Sequence, residues 1–207
     1  MEGIKNIIFD LGNVIINIDS NRAVNAMKEM GFDNFEESYT LLQQSDLFDF
    51  LEKGLITPEK FRADLQEHFN RSVSPKKIDD AWNSMLLDFP KKRIKLLQDL
   101  ESKYRLFLLS NTNIIHYHKY NQDFIDQYGF GLSNLFEKVY FSFDMGMRKP
   151  DLEVFKYVIK DSNLKPIETL FVDDSAENID SANKLGLKTL FIDVSKGDDI
   201  TQKLKGF

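Results

Sequence analysis

The stretch IIFDLGNVII at residues 7–16 decides the fold. A short apolar run ends in Asp10, and Gly12 and Asn13 follow before the next apolar run begins. A continuous apolar run without alternation is typical of a strand that is buried on both faces, as in a parallel sheet. The stretch therefore predicts a buried strand that holds one carboxylate rigidly at the rim of a sheet.

Short apolar runs that end in polar residues recur along the chain, and amphipathic helical segments separate these runs. The predicted strands are Ile4–Asp10, Arg105–Asn111, Val139–Asp144, Thr169–Asp174 and Lys188–Asp193. Strand followed by helix, repeated several times, is the signature of an α/β domain. We therefore predict a doubly wound parallel sheet with helices packed on it.

Residues 17–88 interrupt the alternation of strands and helices, because this stretch has helix signals and no good strand signal. In Thr57-Pro58 and Ser74-Pro75, a capping hydroxyl precedes a proline at the first helical position. We therefore predict a core domain of residues 1–16 and 89–207 and an inserted α-helical cap domain of residues 17–88.

Composition narrows the class of protein. The 207 residues carry a formal net charge of −6 and contain no cysteine, so disulfides and thiolate zinc sites are excluded. An acidic chain is a poor general partner for nucleic acid. No apolar run approaches the roughly 18 residues of a membrane span, and no signal peptide is recognisable. We expect a cytoplasmic protein without nucleic-acid or membrane partners, and the oligomeric state stays open.

Polar residues follow the predicted strand ends, where doubly wound sheets bind their ligands. These residues are Asp10, Ser110, Asn111, Lys149, Asp173 and Asp174. Three desolvated carboxylates repel one another, and a divalent cation removes that repulsion. Oxygen ligands without histidine or cysteine suit Mg²⁺, which shares its coordination with substrate phosphate. Asp10 is then placed as a nucleophile, with Lys149 and Ser110 beside the phosphoryl oxygens.

Each residue alone has an ordinary structural interpretation. Asp10 is typical of a turn, Asp173 and Asp174 of a helix cap, and Lys149 of a solvated helix start. The conjunction of all of them on successive strand ends favours a site.

The motifs FDLGNVI, LLSNT, MRKPD and VDDSAENI, in this order, resemble those of the haloacid dehalogenase (HAD-like) superfamily. Most members of that superfamily are Mg²⁺-dependent phosphatases that work through a phospho-aspartate, and the helical cap between the first two motifs also fits. The FDLGNV pattern is similar to a branch that includes bacterial glucose-1-phosphate phosphatases.

The resemblance implies a role for each motif residue. Asp10 is the nucleophile and a metal ligand, and the Gly12 backbone carbonyl is a second ligand. Asp174 binds the metal directly, and Asp173 does so directly or through water. Lys149 bridges the nucleophile and the phosphoryl group, whose oxygens Ser110 and the Asn111 amide also bind. The resemblance thus implies hydrolysis of a small phosphomonoester, such as a sugar phosphate.

Gly12 departs from the family pattern, which has a second aspartate as general acid and base at that position. Three explanations stay open. The substrate has a leaving group that needs little protonation, another group such as Asp19 substitutes, or the protein is a slow or non-catalytic binder of phosphorylated ligands. Asp19 also fits a helix-start carboxylate, which is the favoured interpretation.

Some residues are predicted to have structural roles only. His116 and His118 are interpreted as surface residues of a helix, and Trp82 as part of the core of the cap.

Overall fold

The computed structural model describes residues 3–32, 35 and 47–207 of the chain. It contains a sheet of five strands, all parallel, in the order β3-β2-β1-β4-β5. The strands are β1 Asn6–Phe9, β2 Arg105–Ser110, β3 Lys138–Phe141, β4 Thr169–Asp173 and β5 Lys188–Phe191. The predicted α/β fold with a doubly wound parallel sheet is confirmed.

Helices fill the connections between the strands. They are α1 Ser20–Glu29, α2 Leu47–Glu52, α3 Pro58–His68, α4 Pro75–Asn83, α5 Lys91–Glu101, α6 Ile114–Tyr128, α7 Ser142–Met145, α8 Leu152–Asp161, α9 Ala176–Lys184 and α10 Ile200–Lys203. Short 3₁₀ turns cover Leu132–Leu135, Pro166–Glu168 and Val194–Lys196. Within the described ranges, no helix combines the length and the apolar composition that a membrane span requires.

Strand β1 lies at the centre of the sheet and is buried on both faces. Phe9 belongs to the hydrophobic cluster on one face, and Ile8 belongs to the cluster on the other. Phe9 pairs with Leu108 of β2 and with Val172 of β4. This register brings the carboxyl ends of the three central strands to one edge of the sheet, where a site is expected.

Strand β3 is shorter than predicted. It ends at Phe141, and Ser142–Met145 form a helical turn instead of continuing the strand to residue 144. The Ser142 hydroxyl accepts a hydrogen bond from the Thr112 N–H at 2.9 Å and donates to the Thr112 carbonyl at 2.8 Å. The Ser142 side chain therefore takes the place of the next pair of backbone hydrogen bonds between β2 and β3.

Helices α1 to α4 share a hydrophobic cluster that is separate from the two clusters around the sheet. It includes Met27, Phe61 and Trp82, and Ile115 of α6 also belongs to it. Two chain segments join these helices to the rest of the protein, and they pair through an antiparallel bridge between Ile18 and Leu86. The sequence did not predict this pairing. The predicted cap therefore has its own core, while its boundaries at residues 17 and 88 stay a prediction.

Among the described residues, the contacts of the cap helices with the core include two close ones. At one of them, His116 of α6 stacks on Trp82 with ring centroids 5.0 Å apart, and its Nδ1 lies 2.9 Å from Asn83 Oδ1. His116 is buried, so its prediction as a surface residue was wrong, whereas His118 is exposed as predicted. The face of α6 that carries His116 packs against α4.

At the other place, the backbone after α2 approaches the core closely. Gly54 has a φ of +64°, and a Cβ added to it would overlap the carbonyl oxygen of Phe143. Only glycine fits this position without strain, because the conformation is left-handed and the neighbouring atom is backbone.

We predict that Gly54→Ala lowers the free energy of unfolding by more than about 3 kcal/mol, measured by urea denaturation. The left-handed conformation alone costs an alanine about 1–2 kcal/mol, and the contact with Phe143 adds to this cost. Gly129→Ala is the matched control, because Gly129 has a φ of +79° and open space around it. Equal losses in the two variants would contradict a tight contact at Gly54.

We predict that acid destabilises the protein through His116. Burial lowers the pKa of His116 from 6.5 to about 3. Between these two pH values, His116 is protonated in the unfolded chain and neutral in the folded chain. Stability is therefore full above the ordinary pKa and is lost as the pH falls towards the folded value. This loss reaches about 2 kcal/mol near pH 5.

Unfolding free energies measured between about pH 8 and pH 5 check this prediction. Over this range His116→Gln should lose about 2 kcal/mol less stability than the wild type, and the exposed control His118→Gln should follow the wild type. An unchanged slope in His116→Gln would rule out this residue as the source.

Candidate active site

A buried lysine links the ends of two strands. Lys149 Nζ donates to Asp10 Oδ1 at 2.6 Å and to Asp173 Oδ2 at 2.7 Å. Only 1 % of the Lys149 side chain is exposed. Burial opposes its charge, but the carboxylates of Asp10 and Asp173 outweigh burial and raise the pKa of Lys149. The lysine is therefore held as an ammonium ion between two carboxylates.

Asp10, Asp173 and Asp174 form a compact acidic cluster. Each offers one carboxylate oxygen, and these oxygens all lie within 4.8 Å of one another. Burial raises the pKa of Asp10 in spite of the opposing charge of Lys149, and burial also raises the pKa of Asp174. Three carboxylates facing one ammonium leave an excess of negative charge that a divalent cation would offset. The all-oxygen donor set fits Mg²⁺.

Two asparagines orient this cluster. Asn13 Nδ2 donates to Asp174 Oδ2 at 3.0 Å, and Asn178 Nδ2 donates to Asp173 Oδ1 at 3.0 Å. Asn13 adopts a φ of +56°, which asparagine tolerates better than most residues. Both lie inside the sequence motifs that identify the site, but the residue-level prediction did not include them.

Asn111 positions Lys149 through its backbone. The Asn111 carboxamide donates to the Lys149 carbonyl at 2.8 Å and accepts from the Lys149 N–H at 2.9 Å. The carboxamide is thus engaged by protein, which leaves the backbone N–H of Asn111 for the predicted phosphate contact. Ser110 is buried at the end of β2 and lines a cavity that also contacts Asp10 and Lys149. Phosphate binding by Ser110 and Asn111 stays a prediction.

Gly12 lies beside the proposed nucleophile, and a side chain at this position would crowd Ile18. A Cβ added there would lie 3.8 Å from Asp10 Oδ2 and 3.0 Å from Ile18 Cδ1. The Gly12 carbonyl accepts a hydrogen bond from the Val14 N–H at 2.6 Å. A carbonyl has two lone pairs, so this bond leaves one for the predicted metal contact.

Asp19 occupies a helix N-cap. Its side chain accepts a hydrogen bond from the Asn21 N–H at 3.1 Å, at the start of α1. This matches the favoured interpretation of Asp19 as a helix-start carboxylate and weakens its candidacy as a substitute acid.

A cavity of about 260 Å³ lies over these groups. The core contributes Asp10, Ser110 and Lys149 to its lining, and the cap contributes Glu52 and Trp82. The sequence placed Trp82 in the core of the cap, where it does pack, but did not predict that Glu52 faces the site. A ligand in this cavity would touch both parts of the protein.

Comparisons with known proteins agree with this geometry. A family model described as haloacid dehalogenase-like hydrolase matches residues 7–192. A D-ribitol-5-phosphate phosphatase from Bacteroides thetaiotaomicron is 33% identical over 187 residues, covering 90% of each chain.

Solved structures give the same result. A HAD family enzyme from Bacteroides thetaiotaomicron, crystallised with magnesium and inorganic phosphate, has a TM-score of 0.86 at 43% identity, covering 92% of this chain and 94% of that one. A HAD-like hydrolase from Porphyromonas gingivalis has a TM-score of 0.86 at 32% identity, covering 99% and 100%. The chain therefore belongs to the haloacid dehalogenase-like hydrolase family.

Proposed function

We propose that the protein is a Mg²⁺-dependent phosphatase that hydrolyses a small phosphomonoester through an aspartyl-phosphate on Asp10. The observation that carries the proposal is the buried arrangement of Lys149 between Asp10 and Asp173, with Asp174 beside them. It combines a fixed carboxylate nucleophile, a buried cation and a metal-binding acid cluster, which are the parts that phosphoryl transfer requires.

In the proposed reaction, Asp10, Asp174 and the Gly12 carbonyl would hold the ion directly, and Asp173 would hold it directly or through water. The bound Mg²⁺ supplies positive charge that offsets the carboxylates and the phosphoryl oxygens. A carboxylate oxygen of Asp10 bonds to phosphorus while the ester P–O bond breaks. Water then cleaves the Asp10–phosphorus bond and releases inorganic phosphate.

Lys149 has two tasks in this scheme. It fixes the orientation of the Asp10 carboxylate through the 2.6 Å hydrogen bond, and its charge lies where phosphoryl oxygens would bind. Ser110 and the Asn111 N–H, at the end of the neighbouring strand, are the proposed further contacts to those oxygens. The cap side of the cavity, which includes Trp82 and Glu52, excludes water and contacts the organic part of the substrate.

A small sugar or polyol phosphate is the substrate class that we propose. The Bacteroides relative with 33% identity acts on D-ribitol 5-phosphate, and the cavity of about 260 Å³ suits a molecule of that kind. Asp10, Lys149 and Asp174 lie on the core side of the cavity, where the phosphate would bind, and Glu52 is a charged group on the cap side.

A non-catalytic binder of phosphorylated ligands is the second candidate, and Gly12 is the residue that favours it. The intact set of Asp10, Lys149 and Asp174 argues against it, because binding alone does not need a nucleophile. Phosphate release from D-ribitol 5-phosphate, sugar 1-phosphates, sugar 6-phosphates, acetyl phosphate and p-nitrophenyl phosphate in the presence of Mg²⁺ separates the two. If the wild type binds one of these esters but cleaves none, the binding function is correct.

We predict that Asp10→Asn lowers the rate of phosphate release more than about 10³-fold, because an amide is not a nucleophile for phosphorus. The substitution keeps the shape of the side chain, so the circular dichroism spectrum should stay that of the wild type. Turnover at the normal rate in this variant would rule out Asp10 as the nucleophile.

We predict that Mg²⁺ raises the melting temperature of the wild type and that Asp174→Asn reduces this rise, since only the folded state forms the site. EDTA should also stop phosphate release. Asp193→Asn is the control, because Asp193 follows β5 but pairs with Lys196 outside the acidic cluster. A full Mg²⁺ response in Asp174→Asn would contradict the proposed site.

A further inference from the structure

We propose that Glu52 of the cap is the general acid and base of the reaction, in place of the side chain that Gly12 lacks. This inference rests on the proposed phosphatase function. It addresses a need created by the substrate class, because the alkoxide of a sugar or polyol is a poor leaving group that requires a proton.

Glu52 is a carboxylate of the cap that lines the same cavity as Asp10 and Lys149. It ends helix α2, and 26% of its side chain is exposed. Glu52 Oε2 lies 3.2 Å from Arg148 Nη2, but it makes no hydrogen bond among the described residues. Because Oε2 is buried, a substrate oxygen or a water in the cavity would meet the exposed part of the Glu52 side chain instead.

The surroundings of Glu52 favour a proton on it. Burial raises its pKa, and Asp49 on the same helix adds to this effect. Arg148 and Lys149 from the core and Lys53 from α2 oppose it without cancelling it. A carboxyl whose pKa moves up from its ordinary value exchanges a proton more readily near neutral pH.

The other titratable groups of the cavity lining are less suitable. Burial holds His116 neutral, with a pKa of about 3, and its Nδ1 already contacts Asn83. Burial raises the pKa of Tyr120 far above neutral pH. Asp10 and Asp174 belong to the acidic cluster. Among the lining residues in the described part of the chain, Glu52 is the remaining acid.

The proposed proton transfers balance over the two half-reactions. As Asp10 bonds to phosphorus and the ester bond breaks, the leaving oxygen takes the proton of the Glu52 carboxyl. The Glu52 carboxylate then takes a proton from the water whose oxygen bonds to phosphorus as the Asp10–phosphorus bond breaks. The products are an alcohol and inorganic phosphate, and both side chains return to their starting states.

Arg148 couples this acid to the rest of the site. Its guanidinium binds Asp49 at 2.9 Å and Glu52 at 3.2 Å, and Lys149 is the next residue in the chain. The same short segment therefore places the catalytic ammonium and anchors the helix that carries the acid. Glu52 faces the site only while the cap contacts the core.

The test compares Glu52→Gln with Asp49→Asn on two substrates. Asp49 lies one helical turn from Glu52 and binds the same arginine, but it does not line the cavity. The substrates are n-propyl phosphate, which has a poor leaving group and no hydroxyls to recognise, and p-nitrophenyl phosphate, which has a good one.

We expect Glu52→Gln to lower kcat/KM for n-propyl phosphate by about 10²-fold or more. For p-nitrophenyl phosphate, we expect kcat/KM to fall by less than about fivefold, because a good leaving group needs little protonation. The basic limb of the pH profile on n-propyl phosphate should disappear as well. Asp49→Asn should change both substrates by the same small factor and keep the basic limb, moved to lower pH because the Asp49 charge raises the pKa of Glu52.

Equal losses on the two substrates in Glu52→Gln would overturn the proposal, since they indicate that Glu52 only holds the cap in place. An unchanged rate on n-propyl phosphate would overturn it too. The proposed phosphatase function fails separately, if the wild type releases phosphate neither from these two substrates nor from D-ribitol 5-phosphate and the sugar phosphates.

Discussion

The buried ammonium of Lys149, held between Asp10 and Asp173, is the interaction on which the rest of the site depends. A buried charge that loses one partner is left uncompensated, which typically costs about 3–5 kcal/mol. The fold must therefore bring three chain segments together to within hydrogen-bond distance. The parallel register of β1 and β4 supplies the two aspartates, and the Asn111 carboxamide holds the backbone of the lysine.

The negative charge of the acidic cluster explains why neutral asparagines donate hydrogen bonds to it. Asn13 and Asn178 donate hydrogen bonds to Asp174 and Asp173 without adding charge. They stabilise the ionised carboxylates and fix their directions, while the remaining excess of negative charge is left for a cation. Asn13 Oδ1 also accepts a hydrogen bond from the Ile18 N–H at 3.1 Å. The Asn13 side chain therefore contacts both the acidic cluster and the segment that leads into the cap.

The cap completes the site from the opposite side. Its own hydrophobic cluster lets it pack as a unit, while Gly54 and Trp82 bring it into close contact with the core. A ligand held between the two parts would be partly shielded from water, and this shielding would strengthen the charge interactions around it. Arg148 joins the two parts, because it binds Asp49 of α2 and adjoins Lys149 in sequence.

The sequence alone determined the fold class and the motif residues. Apolar runs that end in polar residues predict parallel strands, and the carboxyl ends of such strands meet at one edge whatever the details of packing. This is why Asp10, Asp173 and Asp174 could be predicted to lie together without a structure, and the structure places Lys149, eight residues beyond β3, among them.

Only the tertiary structure decided which residues support and cover those groups. The end of β3, the burial of His116 and the entry of Glu52 into the cavity depend on contacts between segments far apart in the chain. A local pattern gives the face of a helix but not the partner that meets it. The sequence therefore fixes the chemistry at the strand ends, and the packing of the cap on the core fixes what surrounds it.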